Sequence, residues 1–240
     1  MILDMVEWAK KRFWETVSTV CVDGASLYKV YLDKRLLNSP NKKPLILPTK
    51  EMADHVVFEW ESQGDKVDPL TMPYTRSANS SIDKVAPQTD EIRKLVTDYG
   101  DSDLICYRAD KPKELVRRQE KIWSNLVLWS ASDLNAPLNI FEGVVYEPQP
   151  SQSILEFEKQ VSNLNTFQLC ALYDLVTISG SLVLSLAVIK NFLNLDNAWS
   201  ACQVDEDWQQ ENWGIDEVES VRTLNRKTAF FHAASFYKVS

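Results

Sequence analysis

The densest group of side chains that could do chemistry in this sequence lies in a single stretch, residues 204–217. The stretch reads VDEDWQQENWGIDE and contains six carboxylates and two tryptophans, but no lysine or arginine. Residues of these types could bind a cation, supply an acid–base pair, form a solvated helix face or contact another protein. The spacing of the carboxylates and the tryptophans helps to separate these possibilities.

The spacing of the carboxylates gives little support to a metal site. Asp205 and Asp207 are two positions apart, so their side chains diverge on a helix. Asp207 and Glu211 are four positions apart and share a face, where like charges destabilise an isolated helix by about 0.2–0.5 kcal/mol. A hard cation could use that pair, but the stretch lacks the loop pattern of an EF-hand. We predict no metal, and a purely solvated acidic face is the main alternative to a binding surface.

The two tryptophans favour a protein-binding surface at a helix corner. Tryptophan is enriched at interface hot spots, although Trp208 and Trp213 could also pack into the core beneath an acidic rim. Gly214 can take the left-handed conformation that ends a helix. Asp216 can then cap the next helix, with Glu217 in its first turn, where the helix dipole favours acids. We therefore predict a sharp corner that exposes tryptophan and carboxylates together.

The rest of the sequence lacks the motifs of common enzymes. Its six glycines are scattered, so there is neither a glycine-rich phosphate loop nor a Rossmann fingerprint. Its two histidines, His55 and His232, are not accompanied by a G-x-S-x-G motif. The sequence thus predicts no catalytic residue and no cofactor. An enzyme that uses the carboxylates of 205–219 stays a less favoured alternative.

Composition and charge are those of a globular protein with one acidic region. The chain has 240 residues, of which 45% are hydrophobic and 25% charged, enough for one large domain or two small ones. The net charge is −8; residues 205–219 hold seven of the 34 acidic residues, so the remainder carries 27 acidic against 26 basic groups. The chain therefore lacks the excess of positive charge that is typical of nucleic-acid-binding proteins.

The cysteines and the apolar segments bear on the cellular compartment. The four cysteines form no C-x-x-C pair and have apolar or helical neighbours, so we expect buried, reduced thiols in a reducing compartment. The opening residues, MILDMVEWAKKRFW, show no signal-peptide pattern. The longest uncharged run, 175–189, has 15 residues and is too short to span a bilayer comfortably. We predict a buried helix there and no membrane insertion.

Apolar periodicity predicts strands first and helices afterwards. The segments TVSTVCVDG, SLYKVYLDKRLL and LILP are typical of an antiparallel meander. Thr49 can cap a helix in which Ala53, Val56, Val57 and Trp60 fall on one face. Trp60 is therefore predicted to face the core, with its neighbours Glu59 and Glu61 pointing elsewhere.

From residue 87 onward the pattern is helical, and Gly180 is predicted to let two helices approach closely. We therefore predict an α+β protein. Residues 1–85 would form a small β-rich N-terminal domain, an antiparallel meander plus a helix. Residues 86–240 would form a larger all-helical C-terminal domain.

Several segments, in their order and spacing, resemble one protein family. They are KRFW at 11–14, VYLDKRLLNSPNKKPLILPT at 30–49, EWESQ at 59–63, MPYTRSANSSIDKV at 72–85, DSDLICYRAD at 101–110, GSLVLSLA at 180–187 and the acidic stretch at 204–217. The chain resembles, over residues 11–235, the assembly chaperones that bind the alpha subunit of the catalytic head of F-type ATP synthase. Such proteins occur in mitochondria and in alphaproteobacteria.

This resemblance implies a role that is not enzymatic. The chain would bind the unassembled alpha subunit, shield its subunit interface from aggregation and promote assembly of the alpha/beta hexamer. It implies a monomer in the bacterial cytoplasm, or in the mitochondrial matrix of a eukaryote. The partner-binding residues it favours are Glu206, Trp208, Trp213, Gly214, Asp216 and Glu217. An acidic scaffold for another basic partner is the alternative.

Overall fold

The computed structural model describes residues 11–22, 24, 26–214 and 216–240. Contacts between residues divide the chain into two compact units. The first consists of the residues up to Thr89 together with Asn165–Cys170 and Lys238–Ser240, and the second of Asp90–Leu164 and Ala171–Tyr237. These units do not coincide with the predicted domains 1–85 and 86–240, which stay a prediction. The α+β class is confirmed, since strands near the N-terminus precede a mainly helical remainder.

The first unit is built on a small antiparallel sheet. Its strands are β1 (Val17–Cys21), β2 (Tyr28–Leu32), β3 (Arg35–Leu36) and β4 (Ile46–Leu47). β2 is the central strand. It pairs antiparallel with β1, with β3 and with β4. Burial alternates along β2: Val30 and Leu32 are buried, whereas Lys29 and Tyr31 are partly exposed. One face of the sheet therefore packs against the core.

Helix α1 (Lys50–Glu61) begins as predicted, because the hydroxyl of Thr49 accepts a hydrogen bond from the backbone N–H of Met52 at 3.1 Å. Trp60 is half-buried and packs against the ring of Trp14, with 5.0 Å between the ring centroids. The prediction that Glu59 points away from the core is wrong. Its buried carboxylate accepts hydrogen bonds from the first turn of the following helix, α2 (Pro73–Ser80).

The remainder of the chain is mainly helical. Its helices are α3 (Thr89–Asp101), α4 (Lys113–Asp133), α5 (Ser151–Ser162), α6 (Thr166–Ser179), α7 (Leu182–Ile189), α8 (Leu195–Cys202), α9 (Val204–Trp213) and α10 (Glu217–Lys238). Two short parallel strands, β5 (Tyr107–Arg108) and β6 (Phe141–Glu142), interrupt this pattern. Among the residues that the structure describes, no helix is both long and apolar enough to cross a bilayer.

The uncharged run 175–189 is divided between the end of α6 and the buried helix α7. Gly180 separates them with a φ of +71°, and its N–H donates to the carbonyl of Val176 at 2.8 Å. A Cβ atom on Gly180 would lie 3.7 Å from Cβ of Leu104, which is an ordinary contact. The positive φ favours glycine at this position, and its predicted role in a close approach of two helices stays a prediction.

The cysteines differ from the expectation at one position. Cys106, Cys170 and Cys202 are buried thiols, and burial raises the pKa of Cys202 to about 12. Cys21 is exposed, contrary to the expectation. It is the last residue of β1, where the burial pattern of the strand ends in two exposed residues.

Candidate functional site

The acidic stretch 204–217 contains the whole of α9 and ends at Glu217, the first residue of α10. Gly214 ends α9 with a φ of +94°, a conformation that favours glycine. Asp216 caps α10, since its Oδ1 atom accepts a hydrogen bond from the backbone N–H of Val218 at 2.8 Å. Ile215 lies outside the described residues. The two helix ends are thus formed by the residues from which a corner was predicted.

The two tryptophans of this corner contact each other. The rings of Trp208 and Trp213 meet edge to face, with 5.7 Å between their centroids and an angle of 85°. Trp208 is half-buried, whereas Trp213 is 75% exposed. Edge-to-face pairs of this kind are favourable by about 0.5–1.5 kcal/mol beyond the area they bury. Trp213 is therefore an exposed aromatic side chain that is supported from within the molecule.

The first half of α10 carries an apolar stripe that the sequence reasoning missed. Val218, Val221 and Leu224 are all between 60% and 62% exposed. They follow one another at intervals of three, so they lie along one side of the helix. Their spacing was the available signal, but the surrounding polar residues obscured it. Exposed apolar groups in a row on a folded protein indicate a surface that another molecule covers.

Basic side chains of other helices neutralise part of the acidic charge on α9. Glu211 forms an ion pair with Arg118 of α4 at 2.7 Å, and this hydrogen bond lowers the pKa of Glu211. Glu206 lies 3.9 Å from Arg226 of α10. Burial nevertheless raises the pKa of Glu206, and the charge of Arg226 only partly opposes that effect. Glu206 and Glu211 thus connect α9 to neighbouring helices of the same unit.

The other carboxylates of the stretch divide into bound and free groups. Asp205 accepts a hydrogen bond from the side-chain amide of Gln119 at 2.7 Å. Burial raises the pKa of Asp207, while the charge of Arg118 opposes it. The side chain of Glu217 is exposed and takes part in no hydrogen bond or ion pair with the described part of the chain. Of these carboxylates, Glu217 is the one most available to a partner.

The surface so formed comprises Trp208, Trp213, Gly214, Asp216, Glu217 and the apolar stripe of α10, and is called the corner surface below. It is open and not a cleft. Two shallow cavities of about 230 and 340 Å³ occur in the second unit, and neither is lined by a residue of 205–219. Within the described ranges, no three His, Cys, Asp or Glu side chains are grouped to hold a metal ion. This geometry suits contact with a macromolecule better than chemistry on a small substrate.

Comparison with known proteins assigns the N-terminal half of the chain to one family. Residues 11–131 match the family model described as ATP12 chaperone protein. A curated relative, the protein atp12, mitochondrial, of Schizosaccharomyces pombe, is 24% identical over 216 residues, which are 85% of this chain and 74% of that protein.

Solved structures extend the similarity to almost the whole chain. The crystal structure of Atp12 from Paracoccus denitrificans is 41% identical, covers 95% of this chain and 97% of its own, and superposes with a TM-score of 0.91. A protein from Agrobacterium tumefaciens is 33% identical, with coverage of 95% and 85% and a TM-score of 0.90.

Proposed function

This chain belongs to the ATP12 chaperone family, and from that premise we propose that it binds the unassembled alpha subunit of F-type ATP synthase. Bound in this way, it shields the subunit interface of its client from aggregation and promotes assembly of the alpha/beta hexamer. The resemblance of the quoted sequence segments supports the choice of client. The role requires no catalytic residue and no cofactor. We place the monomeric chain in the bacterial cytoplasm, or in the mitochondrial matrix if its source is eukaryotic.

The exposure of Trp213 is the observation that carries the assignment of the binding site. An aromatic ring that is 75% exposed, close in sequence to the exposed carboxylates of Asp216 and Glu217, is typical of an anchor that a partner buries. The neighbouring apolar stripe of α10 enlarges this surface. A chaperone must also release its client, so an interface of ordinary size, roughly 1,200–2,000 Å² in total, fits the role better than an obligate apolar one.

The exposed carboxylates at the start of α10 predict that binding of the client depends on salt concentration. Glu217 and Asp216 are exposed at the start of α10. Rim charges of this kind accelerate association with a basic surface and make it sensitive to ionic strength. We therefore assign Glu217 to capture of the client, and Trp208 and Glu206 to support of the surface from beneath.

The proposal is tested by suppression of aggregation. Purified alpha subunit is diluted from denaturant, and light scattering is followed with increasing amounts of this chain. The wild-type chain should suppress scattering at near-equimolar ratio, and Glu217→Lys should need several times more. Glu158→Lys is the matched control, because Glu158 is an exposed glutamate on α5. Melting curves of both variants should resemble that of the wild type.

Three outcomes would overturn parts of this proposal. A wild-type chain that protects an unrelated basic protein as well as the alpha subunit would favour the general acidic scaffold. Full protection by Glu217→Lys would show that the corner surface does not bind the client. Micromolar binding of ATP to the pure chain, measured by calorimetry, would contradict the non-enzymatic role.

A further inference from the structure

A second exposed apolar surface lies in the connector that follows β6. Three consecutive residues of it, Val144, Val145 and Tyr146, are exposed, and Val144 reaches 95%. Successive side chains of an extended segment point to opposite sides, so a connector of this kind normally hides at least one of them. Here all three stay more than half exposed among the residues that the structure describes.

The connector is nevertheless held at both ends. The N–H of Gly143 donates to the carbonyl of Arg108 at 2.8 Å, which continues the parallel pairing of β5 and β6. The hydroxyl of Tyr146 donates to Asp101 at 2.5 Å, and the N–H of Gln149 donates to the other carboxylate oxygen of Asp101 at 2.7 Å. A surface fixed in this way loses little conformational entropy when it binds a partner.

An open cavity of about 340 Å³ adjoins these side chains. Its lining consists of Ser102, Leu104, Tyr107, Val144, Tyr146 and Gly180. The hydroxyl oxygen of Tyr107 is buried and has no hydrogen-bond partner among the described residues. The cavity itself is open, so it can accept an apolar side chain of an incoming segment.

The charges along the connector are acidic. Glu142 and Glu147 flank the three apolar residues and are exposed. Asp98 on the neighbouring helix α3 already pairs with Lys94 at 2.7 Å. The basic group nearest in the sheet, Arg108, is buried and stacks over the ring of Trp123, so it does not offset the exposed carboxylates. A partner segment that carries basic residues beside an apolar one is complementary to this surface.

We propose that the connector surface, comprising Val144, Val145, Tyr146 and the adjoining cavity, is a second contact for the client. It binds an extended segment in which an apolar side chain enters the cavity and flanking basic residues face Glu142 and Glu147. This inference rests on the proposed function, because it takes the alpha subunit as the client. It adds a binding surface that is formed by residues distinct from those of the corner surface.

The test compares the affinity of the purified alpha subunit for the wild-type chain and for a double variant, Val144→Lys with Val145→Lys. Both side chains are exposed, so the variant should keep its melting temperature while its affinity falls about tenfold. Leu128→Lys is the control, since Leu128 is 67% exposed on α4 and should bind within about twofold of wild type. If the lysines lower the melting temperature, the two alanine substitutions repeat the test without added charge.

The outcomes distinguish this inference from the proposed function. If the wild-type chain does not bind the alpha subunit, both the proposed function and the second contact are wrong. A wild-type chain that binds, together with a folded double variant of unchanged affinity, removes only the second contact. Sedimentation velocity of the chain alone supplies the last comparison. If the double variant dissociates a homodimer and binds the client normally, the connector surface serves a second copy of the chain and the inference is wrong.

Discussion

The carboxylate of Glu59 on α1 accepts a hydrogen bond from the backbone N–H of Thr75 at 2.8 Å. It also accepts bonds from the hydroxyl of Thr75 at 2.7 Å and from the N–H of Tyr74 at 2.6 Å. These N–H groups belong to the first turn of α2, where Met72 provides no side-chain cap. Burial raises the pKa of Glu59, and the bonds from Thr75 oppose that effect. A glutamate on one helix therefore caps the next helix of the same unit.

Replacing this cap should destabilise the protein. Glu59→Ala removes the acceptor of the buried Thr75 N–H and of the partly buried Tyr74 N–H, and should lower the free energy of unfolding by about 2–3 kcal/mol. Glu61→Ala is the control, since Glu61 is exposed on the same helix and should change that free energy by less than about 0.5 kcal/mol. Urea unfolding at neutral pH measures both. Equal effects of the two substitutions would contradict the capping role.

Trp60 is predicted to stabilise the first unit and not to contact the client. Its ring packs edge to face against the buried Trp14. Removal of a fully buried tryptophan costs about 3–5 kcal/mol. Trp60 is half-buried, so loss of its ring should cost less, but Trp60→Arg would in addition place a charge beside the ring of Trp14. Since domains are stable by only about 5–15 kcal/mol, little soluble protein should form. The measurement is soluble yield together with a melting curve.

The control for Trp60 lies two residues earlier on the same helix. Phe58 is 70% exposed, so Phe58→Arg should leave yield and melting temperature near those of the wild type. A soluble Trp60→Arg protein that melts normally but fails to bind the alpha subunit would instead place Trp60 on the contact surface.

Gly100 and Gly64 differ in the space around them, so the same substitution at each position tests the packing. A Cβ atom on Gly100 would lie 2.6 Å from Cδ2 of the buried Phe157, closer than normal contact. Gly100→Ala should therefore cost about 1–3 kcal/mol in overpacking, less the gain of up to about 1 kcal/mol in helix propensity. Gly64 has no described heavy atom within 4 Å of such a position, so Gly64→Ala should be neutral or slightly stabilising. Thermal unfolding that ranks the two variants in the opposite order would contradict this packing.

Asp103 should make stability depend on pH in an unusual direction. Asp103 is fully buried, and its oxygens accept hydrogen bonds from the N–H of Ile105 and from the N–H of Val183 in the first turn of α7. Burial raises its pKa to about 6, although these bonds oppose that effect. Because the folded pKa exceeds the unfolded value, this carboxyl stabilises the fold fully below pH 4, and that contribution is lost as the pH rises through 6. Between pH 4 and pH 6 the contribution of Asp103 to the free energy of unfolding should change by about 3 kcal/mol.

The comparison with Asp103→Asn isolates this effect, because other titrating groups are common to both proteins. The free energy of unfolding of the wild type, minus that of the variant, should increase as the pH falls from 7 to 4.5. A difference that stays constant, or that decreases over this range, would show that the pKa of Asp103 is not raised.

Local signals in the sequence made parts of this structure predictable. Thr49, Gly214 and Asp216 begin or end helices through contacts with residues only a few positions away. The strand-then-helix order follows in the same way from the periodicity of each segment. The family could be identified because short motifs occur in a fixed order along the chain.

The remaining features depend on residues that are distant in sequence. Glu59 of α1 contacts Thr75 of α2. Glu211 pairs with Arg118, and the two residues are 93 positions apart in the sequence. A helical pattern shows which side chains share a face, but it does not show which neighbouring element covers that face. For the same reason, the exposure of Val221 on α10 and of Val144 in the connector could be established only from the folded chain.

The central claim is that the corner surface binds the alpha subunit, and hydrogen exchange of the chain with and without purified alpha subunit tests it most directly. In the complex, backbone amides of α10 between Val218 and Leu224 should exchange several times more slowly than in the free chain. Amides of α1 around the exposed Phe58 provide the internal control and should be unchanged. Equal exchange of the α10 amides in the free chain and in a demonstrated complex would contradict the account.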